Sequence, residues 1–285
     1  MKTIVMKIRY ISLKYFMGLL GIIIFTSCEK TANVTMPETD PILVVAGFVA
    51  PNEDTIRLKL TWTTPIYYHS GWHESNYEPN AKVVLEGSNS SYSLEYDTNG
   101  NFYYTSNANF TVNEEVDLAI TYKDMPIVRG KCKIPETPLF TIENKGYQTT
   151  NNGDYYENYY QIDFTSLNTN PINYYRIRMI GYYSDISGYQ YSQNLWLSGG
   201  DLFELKQNET TSIKVYTDKG GETTLDSVRA YVIHASDEYY KYHLSVYNYQ
   251  GDDLFVEPSL IYDNIENGLG NFSAYNMVSD TLIFK

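Results

Sequence analysis

Residues 91–104, SYSLEYDTNGNFYY, decide the fold class. Tyr92, Leu94 and Tyr96 alternate with Ser91, Ser93 and Glu95, the period of a strand that buries one face. Asp97-Thr98-Asn99-Gly100 then turns the chain into Phe102 and Tyr104, which predicts a β-hairpin. The same alternation spreads to both sides. Ile56, Leu58, Leu60 and Trp62 oppose Arg57, Lys59 and Thr61, and Leu118, Ile120 and Tyr122 oppose Asp117, Ala119 and Thr121. With 42–49, 82–87 and 127–134, seven short strands are expected between about 42 and 135. No helical period intrudes. This pattern predicts an immunoglobulin-like β-sandwich over 42–135.

Pro135-Glu136-Thr137-Pro138 reads as a domain junction, and 136–285 as a second β-rich domain with longer loops. Its strands are expected around Tyr160–Phe164, Tyr175–Met179, Ile213–Val215, Val228–Val232 and Thr281–Phe284. One helix is expected at about 237–250. Ser236 caps it, Asp237 and Glu238 complement its N-terminal dipole, and Gly251 ends it.

The N-terminus has a different character. Lys2, Lys7, Arg9 and Lys14 precede an eleven-residue apolar run, Tyr15–Phe25, too short to span a bilayer. A basic head, a short apolar middle and Thr26-Ser27 before Cys28 describe a lipoprotein signal peptide over 1–27. Cleavage there makes Cys28 the first mature residue, its thiol the acceptor of a diacylglycerol and its amine open to further acylation, as with palmitate. Several chains anchor stably where one does not. Residues 28–41 then form a lipidated polar tether. Glu29-Lys30 gives a slight preference for the outer face of the envelope over the periplasmic one.

With Cys28 lipidated, Cys132 has no partner; it shares a strand face with Val128 and Ile134 and is expected in the core. Losing the four signal cations leaves 17 Lys+Arg against 34 Asp+Glu, a net charge of −17. Such a surface disfavours nucleic acid as a partner. Thirty tyrosines in 285 residues suit half-buried strands and also binding surfaces.

Catalytic signatures are scarce. Walker, Gly-x-Ser-x-Gly and His-Glu-x-x-His patterns do not occur. Gly268-Leu269-Gly270 has Ser273 at the third glycine position of a dinucleotide loop, and Asp263–Gly268 has Ile265 at a ligand position of a calcium loop, so both read as turns. His69, His73 and Glu74 offer two imidazoles and a carboxylate, but Ser70-Gly71 puts them on a loop, where their spacing fixes no common face; no metal and no cofactor is expected. The same loop carries Tyr67, Tyr68, Trp72 and Tyr77, a candidate recognition loop or a surface packed on the neighbouring domain.

Several segments together resemble a known family. Phe255-Val256-Glu257-Pro258, the stretch Ile261–Tyr275, Leu43–Gly47, Asn173–Arg176 and Ser236–Tyr242 are similar to those of a Bacteroidetes lipoprotein family catalogued as domain of unknown function 4249. The likeness covers about 28–278. Asn271 stands where an apolar residue is usual in that family. The resemblance implies an outer-membrane lipoprotein often encoded beside a TonB-dependent receptor, with no catalytic residues to carry over. Gly268 and Gly270 are expected to supply positive φ in a turn whose backbone Asn264 and Asn267 bond. Asp-Ser/Thr-aliphatic triplets, which Bacteroidetes glycosylate, place candidate O-glycosylation at Thr55, Ser227 and Thr281.

The expected function is a non-catalytic accessory of a TonB-dependent nutrient transporter, held to the membrane by its lipid and capturing a small-molecule or glycan ligand. The alternative is a cell-surface adhesion or structural module; hydrolysis through His69, His73 or Glu74 is a third. Cys28→Ala should abolish metabolic lipid labelling and move the protein from the membrane to the soluble fraction; labelling that persists refutes the anchor.

Overall fold

The computed structural model describes residues 40–51, 53–64, 76–151, 153, 156–198, 200–216, 223–249 and 259–284. The signal peptide, Cys28, the tether up to residue 39, Phe255–Pro258 and Gly251 lie outside the described residues. Among the described residues the chain is mainly β with one short helix, in two sheets.

The seven expected N-terminal strands form: β1 Leu43–Val49, β2 Thr55–Trp62, β3 Lys82–Glu86, β4 Ser91–Asp97, β5 Phe102–Ser106, β6 Glu115–Thr121 and β7 Val128–Lys133. The hairpin predicted from 91–104 is β4–β5, with Asp97 Oδ1 accepting from Asn99 N–H at 2.9 Å in its turn. β4 changes partners along its length. Ser91–Leu94 pair with β3 and Glu95–Asp97 with β5. Alternate residues of these strands, among them Leu58, Leu60, Val83, Leu85, Leu118 and Ile120, close a first core. Cys132 is in it at 2% exposure, and burial pushes its thiol well above the usual range, the signature of a packing residue.

The remaining strands are β8 Phe140–Asn151, β9 Tyr156–Ser166, β10 Asn173–Asp185, β11 Gln190–Asn194, β12 Leu202–Leu205, β13 Thr210–Tyr216, β14 Thr223–Ala235 and β15 Leu269–Ile283. The large sheet runs β11-β10-β14-β15-β1-β2-β5-β4-β3-β6-β7, with β12 also on β10; the small sheet is β13-β9-β8. Ile162, Phe164, Ile213 and Val215 of the small sheet pack on Tyr175, Ile177, Met179, Val228 and Val232 of the large one, making the second core. Fully burying each such side chain contributes about 1.5–3 kcal/mol.

Two cores thus form on either side of Pro135, but one sheet runs through both. The expected short closing strand is in fact the fifteen-residue β15. Its start lies parallel to β1 (Val44 opposite Leu269 through Val49 opposite Ala274) and its end antiparallel to β14. Ile265, Phe272 and Ala274 belong to the first core and Leu282 packs against the second. The junction after Pro135 is tied down as well: His234 Nδ1 bonds the Glu136 carbonyl at 2.9 Å, and Asn276 Nδ2 donates to the Pro135 carbonyl at 3.3 Å.

The approach to β15 corrects the expected glycine turn. The left-handed residues are Asn267 (φ 58°) and Gly270 (φ 114°), not Gly268. Asn264 stitches the segment down: its Oδ1 accepts from Phe272 N–H at 2.9 Å and its Nδ2 donates to the Phe272 carbonyl at 2.7 Å. Asn267 Nδ2 donates to the Ile127 carbonyl at 3.0 Å. Ile265 is buried, consistent with a turn rather than a calcium loop.

Helix α1, Asp237–Tyr247, is capped as expected, Ser236 Oγ accepting from Tyr239 N–H. It ends three residues early, at Asn248, whose N–H bonds the Leu244 carbonyl. Ser245 explains the stop in part: its hydroxyl donates to the Tyr242 carbonyl and accepts from Tyr262 N–H, tying the last turn to the returning chain. The helix lies on the outer face of the large sheet, over Phe48, Ile233, Ala235 and Tyr275.

Gly270 is the tightest point of this design. A Cβ there would lie 2.0 Å from the Val45 carbonyl oxygen, at a φ that L residues avoid. Gly270→Ala should therefore lower stability by about 3 kcal/mol or more. The urea midpoint should fall, and a midpoint within error of wild type refutes the close β1–β15 approach.

Candidate functional site

A groove lined by several convergent side chains arises from an uneven sheet edge. β10 is thirteen residues long, and two short strands share its outer edge. β12 pairs with Asn173–Arg176 and β11 with Ile180–Ser184, so Ile177, Arg178 and Met179 have no strand beside them there. The intervening residues 195–198 and 200–201 leave the sheet. Leu195 N–H bonds the Met179 carbonyl at 2.9 Å, and the Asp201 carbonyl accepts from Ile177 N–H at 2.8 Å. Between these anchors the segment reaches the small sheet, where Leu197 bridges Val215. The opening left behind has a volume of about 480 Å³.

Strand-like alternation decides what lines it. Leu195 and Leu197 turn inward to the second core, which throws Trp196 outward at 76% exposure. Tyr216 of β13 backs the indole at 6.1 Å between ring centroids. Tyr247, in the last turn of α1, is 71% exposed on the lining. Arg176 and Arg178 occupy alternate positions of β10 and so share its outer face.

The two arginines differ in their company. Arg176 Nε donates to Asp201 Oδ2 at 2.6 Å, and its Nη1 approaches Tyr239 Oη at 3.4 Å and His243 Nδ1 at 3.5 Å. Burial works against its charge, but Tyr239 and Asp201 outweigh that and hold it protonated. His243 stacks on Phe48 at 5.7 Å and 13°. Burial, then the Arg176 charge, push its pKa down to about 4. A neutral imidazole facing a guanidinium through Nδ1 carries its proton on Nε2. Arg178 is exposed and has no ion-pair partner among the described residues. The groove thus presents two flat rings, one neutralised guanidinium and one unneutralised one.

The whole of this site falls within a recognisable family. The family described as "Domain of unknown function (DUF4249)" matches residues 29–281. The chain belongs to this family. A search of the curated proteins finds no match. All groove residues of this DUF4249 member, from Arg176 to Tyr247, lie inside the matched span.

The residues singled out in the sequence are placed elsewhere. Tyr67, Tyr68, Trp72, His69, His73 and Glu74 lie outside the described residues. Tyr77 is half-buried and bridges Thr61, and Trp62 N–H donates to the Asn76 carbonyl at 2.9 Å, so both ends of that loop meet on β2. The buried Glu78 braces this junction by accepting from Trp62 Nε1 at 3.1 Å and Asn80 N–H at 2.8 Å. Thr55 opens β2, half-buried in a second concavity with Arg57 and Phe102. Ser227 is half-buried in β14 and Thr281 exposed in β15, diagonal neighbours on one sheet face. Among the described residues, no group of three or more His, Cys, Asp or Glu could hold a metal. Sequence reasoning missed Arg178, Trp196, Asp201, His243 and Tyr247. The signal for Trp196 was present, in the two leucines that flank it.

The buried His243 makes a pH prediction. The unfolded chain takes up its proton near pH 6.5, the folded chain only near 4, so in that window the unfolded state binds more protons. Stability is complete above the unfolded value and is lost as pH falls toward 4. His243→Phe keeps a ring against Phe48 and removes this titration. Thermal midpoints should fall less steeply from pH 7 to 4 in the variant, the residual slope including that of His234, which burial shifts in the same direction. Parallel curves refute the assignment.

Proposed function

We propose that this DUF4249 member is a non-catalytic, lipid-anchored outer-membrane protein of the Bacteroidetes type. It binds a small ligand in the groove and serves a TonB-dependent transporter as an accessory capture partner. The observation that carries the binding reading is the pairing of exposed Trp196 and Tyr247 with the unneutralised Arg178 in one opening. Aromatic faces give contact area at low entropic cost, and a guanidinium orients what rests on them.

The groove's groups suit holding rather than bond breaking. A guanidinium keeps its proton at any working pH, so neither arginine serves as a proton shuttle. His243, the group of suitable type nearby, is turned toward Arg176 and packed between Phe48 and Tyr239. The basic and apolar run before Cys28 supports the anchor, and the family resemblance supports the transporter.

Purification of the full chain from membranes in mild detergent should bring a TonB-dependent transporter with it. Recovery of the lipoprotein without a transporter under every growth condition overturns the docking.

A further inference from the structure

We propose that the groove recognises a ring-borne carboxylate, with Arg178 as the anion anchor and Trp196 and Tyr247 as the surfaces on which the ring lies. This rests on the reading of the chain as a binding protein and gives that reading a ligand class.

Charge defines the anion. Arg176 is balanced by Asp201 at 2.6 Å, so the opening carries one uncompensated positive charge, that of Arg178. One such charge matches a monoanionic carboxylate. A phosphate dianion would overshoot that single charge and leave the opening net negative, at a cost that grows as solvent is excluded. The surplus cation also stands out against its surroundings, since the whole chain has 34 acidic residues against 21 Lys+Arg. An arginine fork meets the two carboxylate oxygens through two parallel hydrogen bonds.

The walls define what carries the anion. Tyr216 lies behind the Trp196 ring, and the backbone on either side is tied down at Leu195 and Leu197, so the indole is offered from an anchored segment. A rigid flat face selects a flat or chair-shaped ring over a flexible chain. The volume of about 480 Å³ lies within the ~300–1,000 Å³ of small-ligand sites. Two kinds of molecule share this chemistry, uronic-acid sugars and aryl carboxylates.

Calorimetric titration of the full chain in detergent tests the idea, with galacturonic acid and benzoate, each a monoanion, as the two arms. The methyl esters of each and inorganic phosphate are the controls. At least one acid should bind, its ester about tenfold or more weaker, and phosphate should not compete. Arg178→Ala should weaken the acid about tenfold or more, with Arg178→Lys between the two, since an ammonium makes no bidentate pair. Both Arg178 and Trp196 are exposed, and unchanged circular dichroism verifies that these variants fold. Trp196→Ala should weaken the acid and its ester alike. The arm that binds identifies the source. Esters that bind as well as acids, an Arg178→Ala protein that binds normally, competition by phosphate, or no binding of either acid overturns the proposal. Acid binding without a co-purifying transporter leaves this inference standing and removes only the docking.

Discussion

Everything in this molecule hangs on the parallel pairing of β1 with β15. Six residue pairs join the first described strand to the last and make one sheet out of two halves that each have their own core. The contact is close enough that only a residue without a side chain fits at position 270. Asn264 holds the incoming chain on one side, and Ser236 Oγ accepts from Ala274 N–H on the other while it caps α1. The helix is thereby fixed to the same strand that unites the cores.

The groove follows from that arrangement. α1 is set on the outer face beside β10, which brings Tyr239 and His243 to Arg176 and Tyr247 to the gap in the edge. The gap exists because β11 and β12 share one long partner and the chain between them detours to the small sheet. Backbone anchors hold the gap open, and Arg178, Trp196 and Tyr247 line it. Loops and edges positioned by a stiff scaffold are where binding groups concentrate.

The hairpin of 91–104 was legible because one of its faces is buried and the other wet, so its side chains alternate. The cap of α1 was legible because Ser236, Asp237 and Glu238 act locally. β15 was not. As a central strand it is buried on both faces between Asn271 and Ala274, and there the alternation disappears. Gly268 and Gly270 made its start look like a turn. Asn271 is 1% exposed, its Nδ2 donating to Ser273 Oγ at 2.7 Å while its Oδ1 has no partner. β8 was hidden for the opposite reason, since much of it is exposed on both faces and no core imposes a period. The site was hidden because an interrupted neighbour leaves no mark on β10, whose own alternation runs unbroken through Ile177–Met179.

The position of β15 in the chain has a bearing on biosynthesis. Translation delivers it after every other described strand, yet the first core needs its Phe272 and Ala274 and the second packs against its Leu282. A partly synthesised chain can form hairpins such as β4–β5 but lacks residues that complete the first core and cover the second. Non-local pairing of this kind is also slow. The fold therefore withholds its own completion until β15 has been made, so hairpins formed early wait on one late strand that joins both cores.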